Sequence, residues 1–260
     1  MKKFAKIVSY VFDGSVLAMP IFALGCFYQI TSLRASLYAF LVAFIFGSFI
    51  PYLSILLMYK YGFIGDLQMY SRKDRFIPLL ISTLSFLAGF ITLQLTGADI
   101  LIRLIFLIYI SSLVIFSIIT LFWKISFHTS YITLFYVVLA TVLGKKFLFL
   151  FVLIPLVGWS RVKLKKHTVM QVTAGFLFTG IITSAVFYFN DFYVRFLKME
   201  ESLYDLFKSG AKTAYIILRP EFVVLIILFT LFFIRTSFFN RYRIHRRIAL
   251  SLDLDNSMKS

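Results

Sequence analysis

Apolar residues run along this chain in long blocks broken by short polar islands. The blocks at 7–30, 35–59, 77–96 and 100–122 are each long enough for an α-helical membrane crossing, which takes about 20 residues. Further blocks at 128–143, 147–159, 168–189 and 222–236 continue the pattern. The fifth, sixth and last are short, a mark of tilt or partial insertion. Segments 31–34, 97–99 and 144–146 read as tight turns, and 60–76 is the first sizeable polar loop. The pattern predicts an all-α, polytopic transmembrane helical bundle of seven to eight spans. Residues 1–59 form N-terminal transmembrane helices, 60–190 a core that carries the polar islands, and 191–260 an interfacial segment, a last span and a basic tail.

Composition sharpens this reading. Of the 260 residues 61% are hydrophobic, and only 15% are charged, against about 25% in a soluble domain. Mean hydropathy is +0.93. These values exclude an ordinary soluble domain and a disordered chain. The lone cysteine, Cys26, excludes an internal disulfide and a cysteine metal cluster.

The net charge of +16 would suggest nucleic acid in a soluble protein. Here no basic and aromatic surface forms outside the spans, so no nucleic-acid partner is expected. Lys and Arg collect instead on the cytoplasmic side of multi-pass proteins. With eight spans, 18 of the 27 Lys and Arg share the side of the N-terminus, the 60–76, 123–127 and 160–167 loops and the tail. The islands are therefore expected to face the cytoplasm from the cell membrane. Arg72, Lys73, Lys163, Lys165 and Lys166 fit that bias and headgroup contact without any chemistry.

Three islands on that side carry the candidate chemistry. They are Arg72-Lys73-Asp74-Arg75-Phe76-Ile77-Pro78, Trp123-Lys124-Ile125-Ser126-Phe127-His128, and Ser160-Arg161 followed by His167 and Gln171. Ionisable groups at membrane depth are costly and mark function by default. Arginine offers a planar fork that suits a phosphoryl group. Two histidines can divide nucleophile and general-acid roles. Two histidines without a nearby carboxylate pair fall short of a metal site, so no metal and no cofactor are expected. Asp13, inside the first apolar block, is a candidate snorkelling or pairing residue.

The islands resemble the motifs of the type-2 phosphatidic acid phosphatase superfamily, membrane lipid phosphatases related to vanadium haloperoxidases. That family's third motif reads Ser-Arg, five residues, His, three residues, Asp. Ser160, Arg161 and His167 match it, with Gln171 at the Asp position. Its second motif, Pro-Ser-Gly-His, is matched by Ser126 and His128, with Phe127 in place of Gly, no Pro directly before Ser126, and Lys124 two residues ahead of that Ser. Of its first motif, Lys, six residues, Arg-Pro, only Arg75 matches. Gln68 stands at the Lys position and Pro78 comes two residues late. The resemblance covers about residues 60–190 and marks a divergent member.

The resemblance implies hydrolysis of a lipid phosphate or isoprenoid diphosphate through a phosphohistidine. His167 is the nucleophile, and His128 is the acid for the leaving oxygen and then the base for water. Arg75 and Arg161 hold the phosphoryl oxygens, with Lys124 and Ser126 as further donors. Gln171 is the residue that orients the nucleophile. Its carbonyl accepts a hydrogen bond but lacks the charge that steadies an imidazolium, and Asp74 is an alternative partner. Two other outcomes stay open: a phosphotransferase on the same scaffold, and an inactive lipid-binding or transport protein. The sequence carries no signal for oligomeric state.

Overall fold

The structure is a computed structural model, which describes residues 1–30, 32–67, 69 and 73–190. All of them belong to the compact unit Met1–Ile217. The interfacial segment, last span and basic tail expected over 191–260 lie outside the described residues, as do Gln68 and Arg72.

Every element among the described residues is helical. In chain order they are α1 (Lys2–Val11), α2 (Gly14–Phe27), α3 (Leu33–Phe44), α4 (Ile50–Lys60), α5 (Phe76–Leu95), α6 (Ile100–Phe122), α7 (Phe127–Leu143), α8 (Leu153–Lys163) and α9 (Val169–Phe189). Five helical stretches are long and apolar enough to cross a membrane: Lys2–Phe27, Leu33–Lys60, Phe76–Leu95, Ile100–Phe122 and Val169–Phe189. They correspond to five of the expected blocks. The block at 128–143 forms the shorter α7. The block at 147–159 divides between a 3-10 segment, Lys145–Val152, and α8. The count of seven to eight crossings therefore exceeds the five that length and composition support among the described residues.

Two interruptions within the long stretches have local causes. Between α3 and α4 the residues Ile45–Phe49 form a π-helical turn. Pro51, in the first turn of α4, lacks an N–H, and its ring crowds the carbonyl four residues back. A widened turn relieves that clash. The carbonyl of Phe46 within this turn accepts from Ser85 Oγ at 2.6 Å, which matters where no water reaches the backbone. Between α1 and α2 the helix breaks at Phe12 and Asp13. The amides of Val16 and Leu17 pick up the Asp13 carbonyl at 3.0 Å, and the chain re-enters helix.

α6 is the central element. Ile102, Ile105, Phe106 and Ile108 are fully buried along it. Phe22, Phe86, Phe106 and Tyr109 form an aromatic cluster around its middle, with Phe86 and Tyr109 stacked at 4.7 Å. The outer faces are apolar as well: Leu80, Leu84 and Ile91 on α5, and Ile181, Tyr188 and Phe189 on α9, are exposed. Apolar side chains both inside and outside are what a bilayer permits and water does not. Hydroxyls inside these helices bond back along their own backbone, as Ser82 does to Pro78 and Thr133 to Thr129, both at 2.7 Å.

α7 and α9 pack closely enough that Gly175 is required. A Cβ there would sit 2.5 Å from both the Ser126 carbonyl and Thr129 Oγ1. This approach brings the start of α7 against the first turns of α9, where the second and third islands meet.

Candidate functional site

The third island is built by the way α8 ends. Lys165 adopts a left-handed conformation, φ 55°. The amide of Lys166 then closes on the Arg161 carbonyl at 3.0 Å, and that of Lys165 on Val162 at 2.9 Å. This is a Schellman closure made without glycine. It reverses the chain and delivers His167 to the start of α9. There Thr168 caps the helix and forms a reciprocal capping box with Gln171.

Gln171 serves two groups with one atom. Its Oε1 accepts from the Thr168 amide at 3.3 Å and lies 3.1 Å from His167 Nδ1. An oxygen that accepts from an amide cannot be the NH₂ end, so His167 Nδ1 carries the hydrogen. The lone pair therefore sits on Nε2, the nitrogen a nucleophile must offer. Gln171 thus lies against Nδ1 of His167 without bringing a charge.

The first two islands join the third through their cations. Arg75, 5% exposed, donates from Nε to the Met69 carbonyl at 2.8 Å and from Nη1 to the Ile125 carbonyl at 3.1 Å. Its guanidinium lies 5.5 Å above the Phe127 ring. Lys124 Nζ donates to the Lys166 carbonyl at 3.1 Å. The Ser126 amide donates to the Gln171 carbonyl at 3.2 Å. Ser126 is fully buried, and its Oγ has no hydrogen-bond partner among the described residues. A buried hydroxyl without a partner is costly, and a bound anion would supply the missing acceptor.

Arg161 links both histidines to the N-terminal helix. It is buried, donates from Nη1 to Ser9 Oγ on α1, and lies close enough to His167 and His128 for its charge to act on each. His128 Nε2 faces Asp13 Oδ2 at 3.3 Å, and the Ser9 backbone reaches the same ring. The structure thus brings His167, Gln171, Arg75, Arg161, Lys124 and Ser126 together. It places His128 against Arg161 and against the α1–α2 break. Ser9 was not foreseen. It lies four residues before Asp13, the one acid of the first block, and that i, i+4 spacing was the available signal.

Burial, then the charges of Arg161, Lys124 and Arg75, push the His167 imidazole down to about 3, against a small opposing effect of Gln171. Burial and Arg161 lower Arg75 to about 10. Burial, Arg75 and Arg161 also lower Lys124. The charges of three cations thus act on one neutral ring. The sign of the pH effect follows. Folded His167 stays neutral down to about pH 3, while the unfolded residue takes a proton near pH 6.5. Stability should therefore fall as pH drops from about 6.5 toward 3. Melting in detergent between pH 7.5 and 4.5 checks this. The His167→Asn variant should lose less of its midpoint over that range than the wild type. Equal losses would show that His167 is not held neutral.

Comparison with protein-family models, with curated proteins and with solved structures finds no match in any of the three.

Proposed function

We propose that this chain is a membrane phosphatase acting on a lipid phosphate monoester or an isoprenoid diphosphate, a divergent relative of the type-2 phosphatidic acid phosphatases. One observation carries the reading: Arg75, Lys124 and Arg161, from three separate islands, converge on a buried neutral histidine. Such a set is a receptor for a phosphoryl group and stabilises the charge that spreads over its oxygens during transfer.

In the mechanism His167 Nε2 attacks phosphorus as the bond to the leaving oxygen breaks. His128 gives that oxygen a proton. Water then attacks the phosphohistidine, His128 takes the water's proton, and the N–P bond breaks to release phosphate. Arg75 and Arg161 hold the non-bridging oxygens, with Lys124 and Ser126 as further donors. The lipid tail stays in the bilayer. The excess of Lys and Arg supports islands that face the cytoplasm; α7 and the 145–163 segment would bring the five spans to seven, and the apolar block at 222–236 would make eight.

Phosphate release in detergent micelles tests the reading, with phosphatidic acid, phosphatidylglycerophosphate and a polyprenyl diphosphate offered in the presence of a chelator. Release from at least one, undiminished by the chelator, is the expected result. The neutral Gln171 beside His167 favours a second reading, a clamp that binds lipid phosphate without turning it over. Saturable binding with no release from any of the three would move the assignment there.

A further inference from the structure

The α1–α2 break carries groups that the three islands leave unexplained. Asp13 Oδ2 lies 3.3 Å from Nε2 of His128, with the two side chains 38% and 13% exposed. Nε2 itself is sealed from solvent and makes no full hydrogen bond, so Asp13 meets it as an ion-pair contact, and the exposure of the ring lies away from that nitrogen. Ser9, one turn earlier, ties α1 to Arg161 through its hydroxyl. Gly14, next to Asp13, lets the Tyr131 ring of α7 pack against the break. A Cβ at Gly14 would lie 2.2 Å from that ring, so any larger residue would push Asp13 away from α7. The hydroxyl tie and the close approach both hold the carboxylate at this histidine.

We infer that Asp13 is a positioning residue for His128. Its carboxylate faces Nε2 across the ion-pair contact, and Nδ1 exchanges the proton with the leaving oxygen and then with water. The inference rests on the phosphatase reading and deepens it. A carboxylate on one imidazole nitrogen selects the tautomer, aims the ring and steadies its charge when it is protonated. The chain thus places its carboxylate on the acid and a neutral amide, Gln171, on the nucleophile. In the first step the Nδ1 proton passes to the bridging oxygen as the P–O bond breaks and the bond from His167 Nε2 to phosphorus forms. In the second step a water proton passes to Nδ1 as the water oxygen attacks and the N–P bond breaks. Asp13 remains an anion throughout.

The test compares Asp13→Asn and Asp13→Glu with the wild type, as full-length protein in detergent, on two substrates. Phosphatidic acid has an alkyl leaving group that needs a proton. p-Nitrophenyl phosphate has an aryl leaving group that departs with little help. Asp13→Asn should lower turnover of phosphatidic acid by about 100-fold, with KM little changed. Its single-turnover release of p-nitrophenolate should stay within about threefold of wild type, and phosphorylated protein should accumulate because the second step lacks its base. Asp13→Glu should recover part of the phosphatidic acid rate. Wild-type turnover of phosphatidic acid by Asp13→Asn would overturn the inference and leave the phosphatase standing. An equal fall on both substrates, with a lowered melting midpoint, would also overturn it, since Asp13 would then only dock α1. No release by the wild type from either of these, from phosphatidylglycerophosphate or from a polyprenyl diphosphate would bring down the phosphatase reading and this inference with it.

Discussion

Replacing His167 with alanine is expected to lower phosphate release by about 10⁴-fold or more, to the level of a protein-free control. The size follows from the arrangement. Among the described residues His167 is the imidazole whose Nδ1 hydrogen is taken up by Gln171 at 3.1 Å, which leaves Nε2 with a lone pair. It is also the one on which the charges of Arg161, Lys124 and Arg75 all act. Nothing else among these groups has both a lone pair and three cations to hold an incoming phosphoryl group. Folding should change little. The capping box between Thr168 and Gln171 does not use the ring, and the lost hydrogen bond is worth only about 1 kcal/mol. A covalent marker separates loss of chemistry from loss of structure. Wild-type protein quenched during turnover should carry phosphate that is labile to acid and stable to base, as an N–P bond is. The His167→Ala variant should carry none. Full release by that variant would remove the phosphohistidine and the family resemblance together.

The parts legible in the sequence were those with a local signal. Long apolar blocks placed five membrane-length helices. The spacing of Arg161, His167 and Gln171 marked residues that lie near one another, because a helix end, a turn and a helix start fix their relation within eleven residues. Pro51 offered a local cause for the π-helical turn before it, but the break at Asp13 and the 3-10 segment Lys145–Val152 gave no such signal. They depend on what packs beside them, and hydrophobicity alone reads through them. The Arg161–Ser9 bond joins residues 152 positions apart, and no periodicity announces a pair of that kind. Asp13 stood out as an acid in an apolar block, yet its partner could not be read, because His128 lies five helices further along. Gly175 looked like any helix glycine until the Ser126 carbonyl was found where its Cβ would be.

Arg161→Ala is expected to lower kcat by about 10³-fold, roughly 4 kcal/mol of transition-state stabilisation. Loss of one preorganised donor of this kind costs about 10²–10³-fold, and Arg161 supplies a charge as well as a donor. It is buried, and its Nη1 bond to Ser9 Oγ fixes the direction of its fork. It is also the leading charge among those that hold His167 neutral. Its removal should therefore let His167 take up a proton at a higher pH than in the wild type, and histidine NMR can follow that titration directly. The two readouts separate a clamp from a strut. A residue that only tied α8 to α1 would lower the melting midpoint and leave both kcat and the His167 titration near their wild-type values in the protein that remains folded. Arg161→Lys refines the distinction, because lysine keeps the charge and loses the planar fork. It should hold the His167 titration close to wild type while recovering only part of the rate. Wild-type kcat in Arg161→Ala would show that the cation cluster serves the fold and that the phosphoryl group, if it binds, is held elsewhere.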